Sequence, residues 1–208
     1  VLLGTKGGPS MRVVGPSTNP TSSLLDLGGI RIIVDTGIGV TRGILESGRN
    51  IASITHIFLT HYHSDHMVEL GGLLSTAWTS GLDHTVHVFG PIGLEEIWEG
   101  IKTTLAFDLH IRQIDEGRPC LSSLIELHVI DEGLIYTLGD LTVNAMKNLH
   151  PPIIESYAYR FDCHEKSVVF SGDTTYFPPL AEFAKGCSIL VHEAMLEDGV
   201  MDYEYDWC

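Results

Sequence analysis

The stretch Thr60-His61-Tyr62-His63-Ser64-Asp65-His66 sets three imidazoles and a carboxylate directly behind the apolar run Ile54 to Leu59. Such a density of ligand-type groups at one junction restricts the chain to folds built around a metal. If Ile54 to Thr60 is a buried strand, the chain just past it is still extended. His61 and His63 then project to one side, because strand side chains repeat every two residues. Asp65 and His66 follow at a turn. The apolar spacing of Met67, Leu70, Leu73, Leu74 and Ala77 predicts a helix from there, which aims those two groups back at the strand end. Two ligand pairs thus face one point from two directions. Imidazole with carboxylate suits zinc and related first-row ions, and a pair of pairs suits two ions held close together. Surface histidines on a polar loop would have no reason to collect at a strand–helix junction.

His61, His63, Asp65 and His66 also complete the form His-x-His-x-Asp-His, and on those residues the chain resembles the metallo-β-lactamase superfamily. Leu3-Gly4-Thr5, Val34-Asp35-Thr36-Gly37, Ser171-Gly172-Asp173-Thr174 and His192-Glu193-Ala194 are most similar to the branch that holds ribonuclease Z and its arylsulfatase-like relatives. The resemblance runs over nearly the whole chain. It implies an α/β fold, the αββα sandwich, with two mixed β-sheets packed face to face and helices outside, as a single domain over residues 1–208. It further implies that His150 is the third histidine of the first metal site, that Asp173 bridges two ions, and that Asp35 supports the metal loop. Glu193 matches an acid that orients a catalytic histidine farther along, with Met195 in place of the usual hydroxyl residue. Family members carry one more metal-binding histidine, and often that catalytic histidine, beyond this motif. The tail Glu197 to Trp207 holds none, so either a C-terminal closing strand and helix are missing from the sequence, which is the expected case, or another group fills the second ion's shell.

Along the chain, Val1 to Gly4 reads as a strand and Lys6 to Pro20, rich in Gly, Pro, Ser, Thr and Asn, as a loop. Ser22 to Asp26 and Ile30 to Asp35 flank Gly28-Gly29, a hairpin signature. Val40 to Ser47 predicts a short helix, the helix behind the ligand loop ends near Ser80-Gly81, and Val86 to Phe89 is a short strand. Leu94, Ile97, Trp98, Ile101 and Leu105 recur at helical steps, so Ile92 to Phe107 reads as an amphipathic helix. Strands follow at Ile125 to Ile130, Ile135 to Leu138 and Leu141 to Asn148, the last delivering His150 ahead of Pro151-Pro152. A histidine at a strand end, fixed by two prolines, has the form of a placed ligand. Ser156 to Asp162 and Ser167 to Gly172 form a further hairpin that ends in Asp173. Leu180 to Lys185 reads as a helix and Cys187 to Val191 as a strand. Trp78, Trp98 and His56 read as packing residues, and His84, His87 and His110 as histidines with no second ligand nearby.

With 208 residues, 44% hydrophobic and 19% charged, the chain has the composition of a folded globular protein. Its apolar runs are too short to span a membrane, and no basic-then-apolar leader opens it. It begins with Val1, which leaves a processed N-terminus open beside a cytoplasmic location. Cys120, Cys163, Cys187 and Cys208 make no C-x-x-C pair, so free and mostly buried thiols are expected. The net charge of −15 repels polyanions, which makes a nucleic acid an unlikely partner and a small molecule the expected one.

These readings converge on a dinuclear zinc hydrolase, with Mn2+ or iron as alternative ions, using a metal-bound hydroxide on a small phosphate, sulfate or otherwise activated aromatic or ester substrate. His61, His63, Asp65, His66, His150 and Asp173 are the candidate metal ligands. Asp65 and Glu193 are the candidate catalytic residues, the first as proton acceptor and the second acting indirectly. The alternatives are a tRNA 3′-processing endonuclease, a non-catalytic zinc-binding module, and an iron redox protein. A homodimer is compatible with each.

Overall fold

The structure is a computed structural model that describes residues 1–9 and 19–194. Met195, Cys208 and the tail from Glu197 to Trp207 lie outside the described residues, as does most of the Lys6 to Pro20 loop. The chain divides into two compact units, Val1–Val129 and Ile130–Cys208, and each is built on one mixed sheet.

In the first unit the sheet runs β1 (Leu2–Gly4), β2 (Ser22–Leu27), β3 (Ile30–Val34), β4 (His56–Phe58), β5 (Val86–Gly90) and β6 (Ile125–Val129), in that spatial order. β2 and β3 form the expected hairpin, with Leu24 opposite Ile33. Gly28 and Gly29 supply the positive φ angles that a two-residue hairpin turn requires, at 63° and 111°. From β3 onward all pairings are parallel, so the connections must cross over as helices. These are α1 (Val40–Glu46), α2 (Ser64–Met67), α3 (Leu70–Thr79) and α4 (Leu94–Asp115). Alternation sends Ile33, Ile57 and Val88 into a core shared with Ile44, Leu70, Leu74, Trp78 and Trp98, as expected for both tryptophans. Burying a side chain of this size is worth about 1.5–3 kcal/mol.

Two boundaries differ from expectation in a way that bears on the site. Helical structure begins at Ser64, so Asp65 and His66 sit in its first turn instead of ahead of it, and α3 follows after a short break. α4 continues to Asp115, past the predicted end at Phe107. Beyond that point Arg112 pairs with Asp108 and Glu116 at helical spacing, so ion pairs extend the helix where the apolar period fades.

In the second unit the spatial order is β11 (Ile189–Val191), β10 (Lys166–Phe170), β9 (Tyr157–Cys163), β8 (Leu141–Lys147) and β7 (Gly133–Leu138). The pairings are antiparallel except β10 with β11, and α5 (Pro178–Phe183) connects those two. Leu141, Val143 and Ala145 alternate inward along β8, and Tyr157, Tyr159 and Phe161 are buried on β9. Among the described residues no helix is long and apolar enough to cross a membrane. Cys120 is exposed, and Cys163 and Cys187 are half-buried. All three thiols are free as expected but less buried, because each lies at or beyond an element's end.

Candidate metal centre

The ligand loop is positioned by the strand beside it. β3 ends at Val34, and Asp35 turns the chain with φ 60°, an angle that Asp tolerates better than most residues. Its backbone N–H donates to Phe58 O at 2.9 Å, and Thr36 N–H donates to His66 O at 2.6 Å. Gly37 passes so close to the loop that a Cβ there would lie 2.3 Å from Asp65 O. Glu69 closes the other side. Its carboxylate accepts from Thr41 N at 2.9 Å and from Gly39 N at the start of α1, while its backbone N–H donates to Thr36 O at 3.0 Å. The turn after β3 and the ligand helix are thereby one hydrogen-bonded body.

Asp35 does more than satisfy that turn. Its carboxylate, 1% exposed, accepts from Thr60 N at 2.8 Å, from Thr60 Oγ1 at 3.0 Å and from His66 Nδ1 at 2.8 Å. A carboxylate only accepts, so His66 carries its proton on Nδ1 and offers Nε2 as a lone pair. The single hydroxyl proton of Thr60 goes to Asp35. Its oxygen, 3.0 Å from His61 Nδ1, therefore receives that ring's proton and leaves His61 Nε2 as a second lone pair. One buried acid thus sets the tautomers of two imidazoles, which is the orienting role that metal-binding histidines require.

The candidate donor atoms meet in pairs. His61 Nε2 lies 3.0 Å from His63 Nδ1, and His66 Nε2 lies 3.6 Å from Asp65 Oδ2. Two ligands bonded to one zinc at roughly 2.0–2.1 Å in tetrahedral geometry sit about 3.3 Å apart. The His61 and His66 rings are 4.1 Å apart between centroids, so the two pairs lie side by side. The donor set and its spacing fit two neighbouring ions. His61, Asp65 and His66 are buried, at 0%, 4% and 0% exposure. Tyr62, between the two histidines, anchors the loop through its hydroxyl to Pro91 O at 2.5 Å, and burial pushes its pKa up.

The second unit presents its own candidates on two adjoining turns. His150, 2% exposed, forms an isolated bridge with Ile153 around the cis Pro151-Pro152 bond. The residue before it, Leu149, receives Thr175 N–H at 2.8 Å and donates its own N–H to Thr174 Oγ1 at 3.2 Å, while Asn148 Nδ2 donates to Ser171 O at 2.7 Å. The turn bearing Asp173 is tied in this way to the strand end bearing His150. Glu193 clamps it from the other side. Its carboxylate accepts from Thr174 N, and its N–H donates to Ser171 Oγ at 3.1 Å.

Among the histidines expected to be inert, His56 is buried and stacked as a packing residue, with ring centroids 5.1 Å from His87. His84 bonds Ile54 O at 3.0 Å. His87 departs from expectation, since Glu126 and His128 lie within its reach. That neighbourhood depends on the β5–β6 register and has no signal in local spacing.

Comparison with known proteins agrees with this geometry. Residues 3–205 match the family model described as anti-Pycsar protein Apyc1. A ribonuclease Z of Mycobacterium sp. (strain KMS) is 31% identical over 200 residues, covering 95% of this chain and 68% of the relative. The ribonuclease Z of Mycolicibacterium gilvum (strain PYR-GCK) is 30% identical over 201 residues, with the same coverage of 95% and 68%. The crystal structure of human tRNase Z, short form, superposes with a TM-score of 0.75 at 22% identity, covering 97% of this chain and 80% of that one. With its metal-ligand signature, its two mixed sheets and these relatives, the chain belongs to the Apyc1 family and, through it and its ribonuclease Z relatives, to the metal-dependent hydrolases of the metallo-β-lactamase superfamily.

Proposed function

We propose that this chain is a dinuclear metal-dependent phosphodiesterase of the ribonuclease Z type, with the 3′ region of a tRNA precursor as its substrate. By the family resemblance, the ligands would be His61, His63, Asp65 and His66 from the first unit and His150 and Asp173 from the second. Two bound zinc ions would supply Lewis acidity and a water acidified towards a pKa of about 7. The observation that carries the reading is the pairing of the 60–66 loop's donor atoms at 3.0 and 3.6 Å, with Asp35 holding both tautomers. The names of the relatives at about 30% identity support the RNA substrate.

Each residue has a distinct part. Asp65, beside His66, accepts the proton released at attack. Asp35 and Thr60 keep the imidazoles from turning. Glu193 fixes the turn that presents Asp173 by holding Thr174 N–H. The expectation that nucleic acid is an unlikely partner runs against the relatives named ribonuclease Z.

A small phosphodiester is the second reading, and the net charge of −15 favours it, because an acidic surface weakens RNA docking while leaving the chemistry at phosphorus intact. Zinc- or manganese-loaded protein should be assayed in parallel on a precursor tRNA and on bis(p-nitrophenyl) phosphate. Cleavage at the tRNA 3′ side supports the first reading, turnover of the small diester alone supports the second, and inactivity on both removes both.

A further inference from the structure

The first sheet carries another group of ligand-type side chains, on the face opposite its helices. The register puts His56 beside His87, His87 beside Glu126, and Phe89 beside His128. Ile57 and Val88 point into the helical core, so their strand neighbours His56, His87, Phe89, Glu126 and His128 share the other face. There His87 Nδ1 lies 3.1 Å from His128 Nε2. Glu126 reaches both, with Oε2 3.5 Å from His87 Nδ1 and Oε1 3.6 Å from His128 Nε2. Taken one per residue, the donor atoms all lie within 4.8 Å of one another, and the two imidazole nitrogens lie near the separation of about 3.3 Å expected for ligands sharing one tetrahedral zinc.

The arrangement is held in place by stacking. His128 lies on Phe89 at 4.3 Å and 11°, Phe89 lies on Phe58 at 4.4 Å and 6°, and His56 backs His87. His56 is itself fixed, its Nδ1 lying 2.8 Å from Thr55 Oγ1. The side chains of His87, His128 and Glu126 are 26%, 28% and 56% exposed, which leaves solvent room for a fourth ligand.

We propose that His87, Glu126 and His128 form a metal site separate from the 60–66 loop, which takes one zinc-class divalent ion and ties β6 to β5. Two imidazoles with one carboxylate select borderline ions such as Zn2+ over Mg2+ or Ca2+, which prefer all-oxygen shells. In register the group sits about three to five residues before His61, roughly 10–16 Å down the strand direction. β6 is the last strand of its sheet and pairs only with β5 among the described strands. An ion bonded to His87 on one strand and to Glu126 and His128 on the other staples that edge.

The test uses the full chain, equilibrated with zinc by dialysis, counted by elemental analysis and then unfolded thermally with and without zinc. The variants are Glu126→Gln and the double variant His128→Asn with Glu126→Gln. Wild type should hold one zinc more than the double variant, and Glu126→Gln should bind that extra ion at least tenfold more weakly. Turnover of bis(p-nitrophenyl) phosphate should be unchanged, and zinc should raise the wild-type Tm more than that of either variant. Glu126→Gln alters one half-exposed group, so it remains informative if the double variant does not fold. The comparison is a difference and holds whatever number of ions the 60–66 loop binds. Equal zinc content and equal zinc-dependent Tm shifts across the three proteins would overturn the proposal.

Discussion

Replacing Asp35 tests whether one acid orients the ligand loop. Asp35→Ala strands three buried donors, namely Thr60 N, Thr60 Oγ1 and His66 Nδ1. A buried group left unsatisfied costs about 1–3 kcal/mol. The loss should total about 3–5 kcal/mol after partial relaxation, since alanine at φ 60° adds strain of its own. Asp35→Asn separates orientation from stability. Asparagine tolerates the same backbone angle and keeps one acceptor for Thr60 N–H. It presents an N–H2 group where a carboxylate stood, so His66 no longer finds an acceptor at Nδ1, and its proton moves to Nε2, the atom that must be a lone pair. Zinc affinity should then fall 10–100-fold, or about 1.4–2.7 kcal/mol, with a smaller loss of stability than in Asp35→Ala. The assays are urea unfolding in a chelator and zinc competition against a chromophoric chelator. Asp35→Asn protein that binds zinc within threefold of wild type would refute the tautomer argument. Asp35→Ala protein unfolding within about 1 kcal/mol of wild type would refute the hydrogen-bond count.

Further expectations follow from the same contacts. Thr60→Val should cut the link from Asp35 to His61 and weaken zinc binding, while Thr60→Ser should restore most of it, as read in the same competition assay. Gly37→Ala should destabilise the fold by about 1–3 kcal/mol in urea, because its Cβ would lie 2.3 Å from Asp65 O. A wild-type midpoint for this variant would contradict the close approach. Burial first, and then the nearby His87 and His128, lower the His56 pKa from 6.5 to about 4. The unfolded chain therefore takes up this proton first. Stability from His56 is complete above pH 6.5 and is lost as pH falls towards 4, by up to about 3 kcal/mol. Urea titrations of chelated protein across that range should show the fall, and His56→Phe should flatten it. Glu193→Ala should lower kcat on the small diester more than Glu193→Gln, which retains an acceptor for Thr174 N–H. Equal loss in both would remove the clamp.

What the sequence disclosed was local. His61, His63, Asp65 and His66 are close along the chain, so their chemistry could be read from spacing, as could the β2–β3 hairpin from its two glycines. Asp35 was legible as a turn residue or a support for the loop, but its grip on Thr60 and His66 depends on β3 lying beside β4. The His87, Glu126 and His128 group was missed altogether. His87 and His128 are 41 residues apart and meet only through strand register, and apolar periodicity sees the other face of those strands. The end of α4 was misjudged for a related reason, since charge pairs on one helix face carry it past the last apolar repeat.

The proton positions set by Asp35 and Thr60 exist before any ion arrives. Capture at His61 and His66 then needs neither a ring flip nor the departure of a proton. Loading of these two ligands should accordingly release few protons into an unbuffered solution, and its speed should follow the rate at which the incoming cation sheds its own water.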